Sequence, residues 1–166
     1  MRGHSARSNG DGFSVDQYYR ERMDQDIDAE LAAWERRQLA CERGDPLWGL
    51  VAYRMSRMAL DLVRQDLRGA PARVEKEARD QLVTAVASIS ANIAEGYSRP
   101  TGADRARFFS YALGSIRESI VWYTSLGDAL SERSMLDRVE LLSRIRKITL
   151  GMLKATHLAS GSHFKP

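Results

Sequence analysis

The sequence predicts an all-α protein, an antiparallel up-down four-helix bundle with an additional N-terminal helix. Three observations carry that prediction. Apolar residues recur every three or four positions through five successive segments, as a helix with one buried face requires. Start and stop signals punctuate those segments, leaving only short turns between them. No stretch alternates with period two for long enough to form a strand. At 166 residues with 43% hydrophobic content, the chain is long enough to bury one core.

The elements follow in order. Residues 1–13 are polar and glycine-rich and are expected to be disordered. Ser14-Val15-Asp16-Gln17 fits a capping box, and Tyr19, Met23, Ile27, Leu31 and Trp34 then form one stripe, so residues 14–45 read as an amphipathic helix or arm ending near Gly44. Residues 46–158 make the bundle. Asp45-Pro46 supplies an N-cap and a first-turn proline for a helix carrying Leu47, Val51, Met55, Met58 and Leu62, which Gly69-Ala70-Pro71 stops. A helix over about 72–97 carries Val74, Ala78, Leu82, Val86, Ile89 and Ile93, with Gly96 where a left-handed C-cap is expected. Thr101-Gly102-Ala103-Asp104 caps a helix with Phe109, Ala112, Leu113, Ile116, Ile120 and Tyr123 on one side, closing near Gly127. Ser134-Met135-Leu136-Asp137 repeats the signal for a last helix with Met135, Val139, Leu142, Ile145, Ile148 and Met152, which frays into a flexible tail over 159–166.

The segment from 85 to 118 is unusual because a small, polar seam stands where bundle helices should be large and apolar. Asn92 and Glu95 share one helix face, and Ser115 and Glu118 share a face of the next. With Gly96, Arg99, Arg107 and Gly114, they read first as a hydrogen-bonded network that fixes register and seats an oligomer contact. An external ligand site is the alternative, and catalysis is a third. Ala87, Ala91 and Ala94 form a small-residue stripe, as Gly114 and Ser115 do on the following helix. A mid-helix glycine costs about 1 kcal/mol relative to alanine, so Gly114 needs a close contact, within the bundle or between subunits.

Ser88-Ile89-Ser90-Ala91-Asn92-Ile93-Ala94-Glu95-Gly96-Tyr97-Ser98-Arg99, followed by Arg107-Phe108-Phe109 and Ala112-Leu113-Gly114-Ser115-Ile116-Arg117-Glu118, closely resembles the proteins encoded in 23S rRNA intervening sequences and their free-standing bacterial relatives. The resemblance covers roughly residues 46–155 and implies a four-helix bundle without a settled biochemical activity. It also implies a homo-oligomeric ring, a pentamer, and places Trp48 where family members often carry a tryptophan. It offers no template for the N-terminal helix.

Charge is uneven. Residues 1–45 hold seven basic and ten acidic side chains, a net of −3, whereas residues 46–166 hold eighteen and twelve, a net of +6. Twenty-one of the basic residues are Arg, which a GC-rich genome would favour and which also clasps phosphate. Arg54, Arg57, Arg64, Arg68 and Arg73 line the first bundle helix and its turn, and Arg138, Arg144, Arg146, Lys147 and Lys154 lie on the last. Such faces attract phosphates non-specifically; they also occur simply as solvated surface.

Other chemistry is sparse. No cofactor is expected. Two-metal carboxylate sites in bundles need Glu-x-x-His pairs, and His4, His157 and His163 form none, so no metal is expected either. Glycine-rich phosphate loops and nucleophile elbows do not occur, and Cys41 has no neighbouring His, which argues against an enzyme. A single Cys fits a reducing cytoplasm, and no apolar run reaches the roughly 20 residues of a membrane span. Two functions remain. One is a nucleic-acid adaptor, a basic oligomer holding RNA or DNA, with a polymerase as a further partner, much as the distantly similar accessory protein of diversity-generating retroelements acts with its reverse transcriptase. The other is a protein-interaction scaffold with no nucleic-acid role, docked through the N-terminal helix with its acidic run Asp24, Asp26, Asp28 and Glu30.

Overall fold

The computed structural model describes residues 15–71, 74–126 and 129–159. Among the described residues the elements follow in the order α1 Val15–Glu35, α2 Ala40–Arg43, the 3-10 helix Pro46–Gly49, α3 Val51–Gly69, α4 Lys76–Tyr97, α5 Gly102–Ser125 and α6 Glu132–Ala159. Among the described residues there is no strand. Helices α3 to α6 pack in a closed order, α3 on α4, α4 on α5, α5 on α6 and α6 back on α3. The core between them is built from the expected stripes: Leu82, Val86, Ile89 and Ile93 of α4 are fully buried, as are Ala112 and Ile116 of α5 and Ile145 of α6. Ser56, Ser90, Ser119 and Thr149 are also buried, and each returns its hydroxyl proton to a carbonyl three or four residues earlier.

The N-terminal helix ends earlier than its sequence suggests. It stops at Glu35, nine residues short of Gly44, because Trp34 turns inward. Its ring stacks on Trp48 with centroids 5.8 Å apart and planes 10° apart, and its Nε1 donates to Asp61 at 2.9 Å. The chain must fold back for that stack to form, and the Trp34 carbonyl accepts both the Arg37 N–H at 3.0 Å and the Gln38 side-chain amide at 3.1 Å. Ile27, Leu31 and Trp34 bury the stripe against the chain's own α3 and its neighbours, so α1 is part of the core.

Three helix signals also act differently. Asp45 does cap, accepting the Leu47 N–H at 2.7 Å, and Pro46 takes the first position, but they open only the 3-10 turn. The extended Leu50 then breaks the chain, and α3 starts at Val51 in a register that leaves Val51 at the surface and turns Ala52, Met55, Ala59 and Val63 inward. At α6 the cap lies three residues upstream of the expected one: the Ser131 hydroxyl accepts the Ser134 N–H at 3.0 Å. The Thr101 box forms as read, with the Asp104 N–H donating to Thr101 Oγ1 at 3.1 Å. Ser14, the first residue of the other box, lies outside the described residues, as do Gly127, the expected end of α5, and residues 1–13 and 160–166.

Gly96 is the clearest correction. It lies inside α4, and the helix is closed by Ser98 in a right-handed conformation. A Cβ on Gly96 would sit 2.7 Å from Phe109 Cε1 and 3.2 Å from Phe108 Cβ. The glycine therefore serves close approach of α4 and α5, not a left-handed turn.

Candidate nucleic-acid interface

The ten basic residues expected to form this surface divide into two groups. Four are taken up by the fold. Arg54 pairs with Glu35 at 2.7 Å and donates to the Trp48 carbonyl. Arg57 reaches Glu42 at 3.3 Å and the Tyr53 hydroxyl at 3.0 Å; burial works against its charge, yet those partners hold its pKa above the ordinary value. Arg144 binds the acidic face of α1, donating to the Asp24 carbonyl at 2.9 Å and to Asp28 at 2.6 Å. Arg138 grips Asp66 with Nε at 3.0 Å, while the Tyr123 hydroxyl donates to the same carboxylate at 3.1 Å. Asp66 and Arg138 are largely sheltered there. Burial opposes the charge on Arg138, but Asp66 outweighs it and raises its pKa; burial and then Asp66 push the Tyr123 phenol up.

The remaining cations stay free or nearly so. Arg64 makes only a loose exposed pair with Asp61 at 3.8 Å. Arg68, Arg146, Lys147 and Lys154 make no ion pair among the described residues. Arg68 and Arg64 lie on α3, the other three on α6, and these two helices pack side by side. Arg73 lies outside the described residues.

The polar seam does not close into one network within the chain. Glu95 pairs with Arg99, and Arg107 pairs instead with Asp104 at 3.3 Å. The side chains of Asn92, Ser115 and Glu118 make no hydrogen bond among the described residues. Gly114 is exposed in mid-helix, and beyond its own helix backbone no atom of the described residues lies within 4 Å of the position a Cβ would take, so the close contact expected for it is not supplied among the described residues. Ala91 on α4, the helix packed against α5, is exposed as well.

Several working residues escaped the sequence reading. Arg79 closes the α3–α4 turn by donating to the carbonyls of Leu67 at 2.8 Å and Pro71 at 2.6 Å, and only the proximity of a C-terminal helix end could have hinted at that. Tyr97 and Tyr111 are exposed aromatics lying off the apolar stripes, which is the signal that could have found them. Among the described residues no group of three or more His, Cys, Asp or Glu is placed to hold a metal, and no helix is long and apolar enough to cross a membrane.

No curated protein matches the chain. A solved structure from Bacteroides thetaiotaomicron, a protein of unknown function from the S23 ribosomal protein family, aligns with a TM-score of 0.58 at 20% identity, covering 63% of this chain and 99% of that one. Such a likeness establishes the helical fold. Residues 50–149, from the start of α3 to the middle of α6, match the 23S rRNA-intervening sequence protein model, and the chain belongs to that family.

Proposed function

We propose that this protein is a non-enzymatic, self-associating adaptor of the cytoplasm that holds nucleic acid through phosphates on the α3 and α6 face. One observation carries the reading: the cations without an ion pair among the described residues, Arg68, Arg146, Lys147 and Lys154, belong to neighbouring helices. Together with Arg64 they form a surface that releases counterions from a phosphate backbone without reading bases. In this reading the closed order of α3 to α6 is an antiparallel up-down bundle, for which the short connections between consecutive helices speak. Self-association runs through the outer side of α4 and α5, where Ala91 and Gly114 leave room for a second backbone; a ring of five multiplies the basic face. A reverse transcriptase or another nucleic-acid enzyme is the kind of protein partner such a holder would serve.

A second reading has its own observation. Because Arg54, Arg57, Arg138 and Arg144 are committed internally, the free charge is smaller than the sequence suggests, which favours a scaffold for another protein. A gel shift with RNA and DNA at low salt separates the two. The adaptor gives a shift that salt abolishes; the scaffold gives none.

A further inference from the structure

We propose that the α4–α5 turn is a second site, at which unpaired bases of a single-stranded nucleic acid stack on Tyr97 and Tyr111 while phosphates meet Arg105 and Arg107. The inference rests on the nucleic-acid reading above and adds a preference for single strands. Tyr97 is 43% exposed and Tyr111 53%, and from residue 21 onward, among the described residues, they are the exposed large aromatic side chains; the other exposed large apolar residues there are aliphatic. Aromatic rings are expensive to leave in water; Tyr97 closes α4 and Tyr111 stands in the third turn of α5, both on the turn side of Ala91 and Gly114.

The surroundings of the two tyrosines fit a base-stacking platform. Two guanidinium groups stand near the Phe108 ring, Arg99 at 4.9 Å from its centroid and Arg107 at 5.4 Å, and Tyr111 makes a T-shaped contact with it at 5.8 Å with the planes 85° apart. Gly96, pressed against Phe108 and Phe109, locks α4 to α5 here, so the rings need little ordering on binding. Three arginines face two carboxylates. Arg99 is paired with Glu95, and Arg107 with Asp104 through an exposed contact of the weak kind that a phosphate displaces. Arg105 donates only to the carbonyls of Arg99 at 3.0 Å and Pro100 at 3.2 Å and has no carboxylate among the described residues. Bases inside a duplex cannot reach a tyrosine face, whereas unpaired bases can, and stacking of this kind tolerates any sequence.

The test is fluorescence anisotropy of a labelled oligothymidine strand and of a duplex of equal length at one low salt concentration, with the mass of every variant followed by light scattering. The unaltered chain should favour the single strand. Y97A combined with Y111A should weaken single-strand binding by about 5- to 100-fold while leaving duplex binding and mass unchanged, and Y111F should bind like the parent. Single-strand binding undiminished in the double variant overturns the inference. A fall in mass does so as well, because it would show the tyrosines to be a contact between copies. If the unaltered chain binds duplex and single strand equally, this inference alone fails; if it binds neither, the adaptor reading fails with it.

Discussion

Gly96 and Gly114 lie in adjacent helices, yet a methyl group at each would meet opposite surroundings. At Gly96 it would run into the Phe109 ring, so Gly96→Ala should destabilise the fold by about 1–3 kcal/mol, as overpacking does. At Gly114 it would meet nothing, and helix propensity alone predicts that Gly114→Ala stabilises an isolated chain by about 1 kcal/mol. If α5 seats a second copy there, the same substitution, and Gly114→Leu more strongly, should lower the mass measured by light scattering while raising or keeping the melting temperature of the dissociated chain. Loss of melting temperature without loss of mass would contradict that role. Both glycines were visible in the sequence as costly helix residues. Periodicity registers the cost but not the neighbour, and so Gly96 read as a cap and Gly114 as a close contact whose side, within the bundle or between subunits, stayed open. Tyr123 gives a second residue-scale test. Its raised phenol pKa means that the folded chain keeps a proton that the unfolded chain loses near the ordinary value of 10.0, so this stabilisation is full below about pH 10 and fades above it. Melting temperature should therefore fall on passing from pH 9 to 11, and less so in Tyr123→Phe, once other groups are matched.

At the scale of elements, α1 joins the core through one aromatic side chain and a few charges. Trp34→Ala removes a fully packed ring, its stack on Trp48 and its bond to Asp61, and should cost about 3–5 kcal/mol in urea unfolding. Arg144 ties α1 to α6, so Arg144→Ala should loosen α1, increase hydrogen exchange in its amides and leave α4 and α5 protected. Equal protection in α1 would show that the apolar stripe suffices. The stripe of α1 was legible from Ile27, Leu31 and Trp34, and so were the helical spans from α3 to α6. The end of α1 was not, because it is set by a tertiary stack between Trp34 and Trp48, which no local signal announces. The start of α3 was missed for a related reason: Met55 and Met58 of the expected stripe are buried and the Asp45-Pro46 signal is genuine, but Leu50 interrupts what that signal starts and Val51 is left at the surface.

Over the whole molecule, ion pairing redistributes the charge that the sequence assigns to one basic face. The net of +6 over residues 46–166 stands, but Arg138 and Arg144 on α6 and Arg54 and Arg57 on α3 are spent on Asp66, on α1 and on the connector. Sequence alone ranks all ten cations equally; the packing of α1 sets Arg54 and Arg144 apart, Glu42 of α2 takes up Arg57, and Asp66 of α3 takes up Arg138. Removing residues 1–45 would bare the apolar groove under Ile27, Leu31 and Trp34, so the truncated chain should aggregate, a result that dynamic light scattering would reveal. Charge substitutions away from that groove are the cleaner probe. The most direct measurement of the central claim is nucleic-acid affinity as a function of salt, for the unaltered chain and for a variant with Arg146, Lys147 and Lys154 all changed to Gln. The adaptor account predicts a linear log–log plot with a slope of about −0.9 per phosphate neutralised on duplex DNA, and a weaker, flatter line for the variant at unchanged melting temperature. No binding of RNA or DNA at the lowest salt, where this attraction is strongest, would contradict it.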